Sequence, residues 1–114
     1  MFKFEKLEVW KKAVALYEKI SSLSRTIDQK DQFSLGEQIR RASLSVSTNI
    51  AEGTGREGEK ESRQFFNIAK GSVYEVVSLL YVMRSRGYIA EKDYEALYSQ
   101  CDEIARMLSG ILSK

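Results

Sequence analysis

Apolar positions recur along this 114-residue chain at alternating steps of three and four in four successive segments. That period belongs to helices packed along one side. The first segment, roughly 5–25, carries two stripes: Leu7, Trp10, Val14 and Tyr17, and Val9, Ala13, Leu16, Ile20 and Leu23. One partner surface needs only one stripe. The pair predicts a helix that faces its own bundle and a second surface, leaving part of Trp10, Tyr17 or Leu16 exposed on an isolated chain. A second helix is expected from Ser34, where Ser34 and Glu37 have the spacing of a reciprocal N-terminal cap. Its apolar face is Leu35, Ile39, Ala42, Val46, Asn49 and Gly53. A third helix runs from about Glu59 to Arg86 on the seam Ser62, Phe65, Ala69, Ser72, Val76, Leu79 and Met83. Phe66, Val73 and Leu80 broaden that seam, and Gly87 is a candidate C-cap. A fourth runs from about Glu91 to Leu112 through Tyr94, Leu97, Cys101, Ile104, Leu108 and Ile111. Short connections between four such helices predict an all-α fold: an antiparallel up-down-up-down four-helix bundle, one domain over 1–114.

The second helix has an unusual composition. Ala42, Ser43, Ser45, Ser47, Thr48 and Ala51 are all small, so another backbone can approach closely, and this helix is expected at the centre of the packing. It runs into Gly53, Gly55 and Gly58, read as a turn in which glycine supplies positive φ. Residues 53–58 spell G-x-G-x-x-G, but a helix precedes them where a dinucleotide fingerprint needs a strand. Glu59 also stands where a phosphate-binding loop needs lysine. A residual anion site could use Arg56, Lys60 and the amides before helix three.

With 43% apolar and 30% charged residues, the composition is globular. No apolar run reaches the length of a membrane span, and the charged N-terminus lacks the core of a signal peptide. A single Cys cannot form an internal disulfide, which points to a reducing, cytoplasmic setting. The net charge of +2 is weakly basic. Residues 1–30 hold seven basic and four acidic groups, and 64–90 hold three and one, so a basic surface is expected from helices one and three. The candidates are Lys12 and Lys19 on helix one, and Arg63, Lys70 and Arg84 in one heptad row on helix three. Rows of charge are most often simply the solvated face.

Candidate chemistry is sparse. The chain has no His, so neither a zinc site nor a His-activated nucleophile can be built, and no cofactor is implied. Cys101 lies on a core seam, where a thiol behaves as a small hydrophobe. Glu52 and Glu75 could serve carboxylate chemistry, but an ion-pairing or hydrogen-bonding role at a helix contact is favoured. Asn49, on an apolar stripe, must find a partner at the glycine turn or fix helix register. The residues point to a non-enzymatic protein.

Gln-Ile-Arg-Arg-Ala at 38–42, Ser45, Asn-Ile-Ala-Glu-Gly at 49–53 and Gly-Arg at 55–56 resemble the 23S rRNA intervening-sequence protein family. Phe4 to Trp10, Phe65, Ala69, Gly71-Ser72, Glu75 and Gly87-Tyr88-Ile89 extend the resemblance over nearly the whole chain. It implies structural roles for Arg41, Asn49, Glu52, Gly53, Gly55, Arg56 and Glu75. It also implies a homopentameric four-helix bundle that binds RNA or a ribonucleoprotein, since the related accessory variability determinant proteins bind nucleic acid. The alternative is a purely structural or protein-interaction oligomer. The chain departs from the family at Thr26-Ile27 and Val46-Ser47, where prolines are usual, and at Ser62. The missing prolines are expected to straighten or lengthen helix two.

Overall fold

The computed structural model describes residues 1–114. Four long helices form it: α1 (Glu8–Ser24), α2 (Glu37–Thr54), α3 (Glu59–Ser85) and α4 (Glu91–Leu112). Each packs on the next, and α4 returns to α1, so α1 and α3 stand at diagonal corners. The bundle measures 43 × 24 × 23 Å. One cluster of buried apolar side chains runs through it, including Leu16 and Ile20 of α1, Ile39 and Val46 of α2, Val76 and Leu80 of α3, and Leu97 and Leu108 of α4.

The seams read from periodicity are the buried faces, with Leu23 of α1, Asn49 of α2, Ser62, Phe65 and Leu79 of α3 and Ile111 of α4 only half-buried. The limits of α3 and α4 fall where the sequence places them. Gly87 closes α3 with φ +77°. The Tyr88 amide then donates to the Met83 carbonyl at 2.9 Å and the Gly87 amide to Arg84 at 3.0 Å. That crossed pair satisfies carbonyls a helix end leaves free, and it needs a left-handed residue. α2 is the central element, with its broadest contacts on α3 and α1. Its small residues permit this: Ala42, Ser43 and Ser47 are buried. The two serine hydroxyls return hydrogen bonds to the carbonyls of Arg40 and Leu44, so close packing strands no polar atom.

Four expectations need correction. First, α1 does not begin at residue 5. A 3-10 turn, Lys3–Lys6, precedes it and the chain is extended at Leu7 (ψ 124°). Phe4 thereby reaches back onto Trp10, with the rings 4.9 Å apart and edge-on. The stripe of Leu7, Trp10, Val14 and Tyr17 is half-buried rather than bare, and Leu16 is fully buried.

Second, Ser34 and Glu37 do not cap α2. Helical backbone already starts at Gln29, runs through Asp31, and passes through one wide π-helical turn, Gln32–Gly36, into α2. The Ser34 hydroxyl donates to the Asp31 carbonyl at 3.3 Å instead. The cap-like spacing is a coincidence inside a longer helical run.

Third, Gly53, Gly55 and Gly58 all have ordinary negative φ; Gly87 is the sole residue with positive φ. Gly53 is needed for space: a Cβ there would lie 3.2 Å from the Phe66 ring and 3.3 Å from Phe65 Cβ. Fourth, Asn49 does not bond to the glycine turn. Its amide donates one turn back, to the Ser45 carbonyl at 2.8 Å and the Ser45 hydroxyl at 2.9 Å.

Candidate functional site

The two groups of basic candidates are kept apart by the packing. Lys12 and Lys19 flank the α1/α4 groove with Ala15, Gln100 and Glu103. Lys12 is paired there with Glu103 at 3.4 Å. Arg63, Lys70 and Arg84 lie on α3, at the diagonal corner. The bundle therefore has no single face carrying all five cations.

Their availability also differs. Arg84 donates to both Glu91 oxygens, at 3.0 and 3.3 Å. Its guanidinium lies 3.8 Å over the Tyr94 ring and 5.2 Å from that of Tyr81. The Glu91 hydrogen bond raises its pKa, with desolvation opposing and the Glu91 charge assisting. This is a clamp between α3 and the start of α4. Lys19, Arg63 and Lys70 have no carboxylate within ion-pair distance. Of the five candidates they are the ones without a carboxylate partner.

Six of the seven motif residues lie along the α2–α3 seam or its turn, while Arg41 is exposed on α2. Asn49 and Ser45 form a polar bridge completed by Ser72 of α3, whose hydroxyl lies 2.9 Å from that of Ser45. Near the far end of this seam the Gln38 amide donates to the Glu75 carboxylate. Arg41 pairs with Glu37, and Arg56 with Glu52, each at 2.8 Å and one turn apart. Arg56 also lies 4.7 Å over the Phe65 ring. Gly53 admits that ring layer and accepts the Ser62 hydroxyl at 2.8 Å. The Gly55 amide donates to the carbonyls of Ala51 and Glu52, closing α2. Glu52 and Glu75 thus have structural partners, and Arg56 is already neutralised. The motif joins two helices at fixed register.

Sequence reasoning missed three features. Of the arginine pair it chose Arg41, the exposed one. Arg40 instead turns into the bundle end, where Nη1 donates to Ser24 Oγ at 3.0 Å and Gln32 Oε1 at 3.2 Å. Second, Tyr88 donates its hydroxyl to Asp31, which Arg86 also approaches at 3.4 Å. That bond, with desolvation, pushes the Tyr88 hydroxyl up to about 12. Third, the large exposed apolar side chains lie elsewhere than α1: Met1 and Phe2 at the N-terminus, Phe33, Leu44 of α2, Ile68, Tyr74, Tyr81 and Val82 of α3, and Tyr98 of α4. The heptad spacing of Tyr74 and Tyr81 was available as a signal, but tyrosine tolerates both burial and water, so spacing alone could not place it.

No cluster of His, Cys, Asp and Glu is disposed to hold a metal ion. Burial pushes the Cys101 thiol up to about 12, so it is protonated and inert at neutral pH. No helix is long and apolar enough to cross a membrane.

Residues 5–110 match the family described as 23S rRNA-intervening sequence protein, and the chain belongs to that family. In fold it is similar to a crystal structure of a protein of unknown function, assigned to the S23 ribosomal protein family, from Bacteroides thetaiotaomicron VPI-5482. The TM-score is 0.86 at 23% identity, covering 93% of this chain and 99% of that one. No curated protein matches the chain.

Proposed function

We propose that this member of the 23S rRNA-intervening sequence protein family is a non-enzymatic scaffold: an up-down-up-down bundle that closes into a homopentamer and binds RNA or a ribonucleoprotein in the cytoplasm. The bundle topology is supported by contacts between distant ends. Thr26, after α1, donates to the Tyr88 carbonyl between α3 and α4 at 3.2 Å, while Leu7 to Val9 share a groove with Met107 and Ile111.

The observation that carries the assembly is a pair of apolar rows on α3. Ile68 and Val82, two heptads apart, are exposed on the flank that also carries Glu75 towards α2. Tyr74 and Tyr81, one heptad apart, are exposed on the flank towards α4, where Tyr98 joins Tyr74 in a groove. At about 100° per residue the rows are roughly 110° apart around the helix. A ring needs two different patches inclined to one another rather than opposed, and rows at this separation meet that requirement. Opposed patches would build a filament.

RNA enters through the cations without partners. A ring repeats Lys19, Arg63 and Lys70 in every subunit, so modest phosphate contacts act together and affinity falls steeply with salt. Light scattering at low micromolar protein tests the assembly: the mass of five chains is expected, and Ile68→Asp with Tyr81→Asp should reduce it to one. A monomeric wild-type protein would refute the ring. Gel shift of ribosomal RNA fragments at about 50 mM salt, where phosphate-driven binding is strong, tests the second half. Lys19→Glu, on α1 away from both apolar rows, should weaken the shift and leave the oligomer intact. If the wild-type protein gives no shift, the purely structural oligomer replaces this reading. The pairing of Lys12 and Arg84 within the fold already favours that alternative in part.

A further inference from the structure

We propose that the groove between the end of α1 and the π-helical turn holds the terminal phosphate of an RNA strand, with the terminal base stacked on Phe33. The inference rests on the RNA reading above and names which part of the strand is recognised. The groove is about 550 Å³ and is lined by Ser21, Ser24, Arg25, Gln32, Phe33 and Arg40, among others.

Arg40 is its centre. The side chain is half-buried, yet its contacts are a serine hydroxyl and a glutamine carbonyl, both neutral and both made by Nη1. A guanidinium has five N–H donors. Those on Nε and Nη2 have no protein acceptor, and no carboxylate neutralises the charge. A charge drawn partly out of water is ordinarily paired. Arg25 lines the same groove and is also without a carboxylate partner. The one acidic residue of the lining, Glu37, is held by Arg41 at 2.8 Å.

The local fold is arranged around this side chain. Gly36 is buried, and a Cβ there would come within 2.7 Å of Gln32 Oε1 and 3.2 Å of Arg40 Nη1. Only glycine lets both side chains cross the helix at that level. Gln32 is fixed from its other end, where Nε2 donates to the carbonyls of Ser24 and Ile27, each at 2.9 Å. The guanidinium is therefore preorganised. At the rim of the same turn stands Phe33, 80% exposed, a whole aromatic face held in water. π-helical turns recur at functional positions in helices.

Two guanidiniums suit a dianion better than a monoanion. A terminal phosphate monoester carries close to two charges at neutral pH, whereas an internal phosphodiester carries one. The planar guanidinium fork matches phosphate oxygens in pairs. Phe33 provides what a phosphate alone would not use: a stacking surface for a base, which single-stranded RNA presents at its ends.

The test uses the full-length protein and an oligoribonucleotide of about ten nucleotides, labelled at its 3′ end, at about 50 mM salt, where phosphate contacts dominate binding. Fluorescence anisotropy compares the 5′-phosphorylated strand with its 5′-hydroxyl twin. The phosphorylated strand should bind roughly tenfold more tightly, the scale of an added charge-assisted pair of hydrogen bonds. Gly36→Ala keeps the net charge but displaces the ends of Gln32 and Arg40; Phe33→Ala alters only an exposed side chain. Gly36→Ala should erase the preference and leave binding of the hydroxyl strand close to wild type, Phe33→Ala should weaken the phosphorylated strand severalfold, and both should leave the melting temperature close to wild type. Equal binding of the two strands by the wild-type protein overturns this inference and leaves the RNA reading standing. A preference that survives Gly36→Ala, or an affinity for the phosphorylated strand that Phe33→Ala leaves unchanged, overturns it too, because the site must then lie elsewhere. Binding of neither strand overturns the RNA reading and this inference with it. Competition by a phosphoserine peptide as effective as the phosphorylated RNA would overturn the assignment to a nucleotide.

Discussion

Replacing glycine by alanine is one chemical change, yet it should have opposite signs at three positions of this bundle. Gly71 lies inside α3, exposed, and a Cβ there would meet nothing within 4 Å. Only the helix preference acts, so Gly71→Ala should stabilise by about 0.5–1 kcal/mol. Gly53 lies in the last turn of α2, where that gain is smaller because helix ends fray. Against it stands a Cβ at 3.2 Å from two atoms of the buried Phe66 ring and 3.3 Å from Phe65 Cβ. The ring is confined and a Cβ moves only with its backbone, so neither neighbour can give cheaply. Overpacking of this kind costs about 1–3 kcal/mol, and Gly53→Ala should be destabilising by a net of about 0.5–2 kcal/mol. At Gly87 there is open space, but φ is +77°. The left-handed region costs an L-residue about 1–2 kcal/mol, so Gly87→Ala should also destabilise. The assay is urea unfolding followed by circular dichroism at one fixed protein concentration. The midpoint should rise for Gly71→Ala and fall for the other two with the slope unchanged. If Gly53→Ala raised the midpoint as much as Gly71→Ala, the close approach of α2 and α3 would be wrong.

Leu108 is completely buried on the α4 seam, and Leu108→Ala should cost about 2–5 kcal/mol in the same urea assay, through lost transfer energy and the cavity left behind. A loss under about 1 kcal/mol would show that the site collapses or is solvated. Cys101, with its thiol pushed up to about 12, should react with a thiol reagent at pH 8 only after unfolding; rapid stoichiometric labelling of the native protein would contradict the register of α4. Tyr88 is raised from 10.0 to about 12, so its bond to Asp31 stabilises the fold fully below about pH 10 and is lost as pH climbs through about 12. Phenolate absorbance should show a late step that Tyr88→Phe removes; an unchanged titration in the variant would rule out the assignment.

Much of the fold was legible because helical period is a property of covalent geometry. Val73, Val76, Leu80 and Met83 can share a face only in a helix, and the seam of α4 gave its limits to the residue. Termini were less legible where side chains from distant segments decide them. Ser34 and Glu37 have the right spacing for a cap, but Gln32 reaches across to the end of α1, and helical backbone is continuous through both. The motif residues were visible as a motif, and their role in joining α2 to α3 was not, because Ser45 and Ser72 meet only after the helices pack.

The sequence by itself determined four amphipathic helices, the identity of the buried seams, the lack of imidazole chemistry and the family. The first three follow from local spacing or composition, and the family from the resemblance of its motif residues. Only the tertiary structure decided that α1 and α3 stand at diagonal corners, so that five candidate cations do not share one face. It also decided that Lys12 and Arg84 are spent on Glu103 and Glu91, and that Arg40 rather than Arg41 turns inward beside an exposed Phe33. The physical reason is common to all of these. Whether a charge is free or paired, and whether an aromatic ring is core or surface, depends on which other helix lies beside it, and one helix's periodicity does not encode its neighbour.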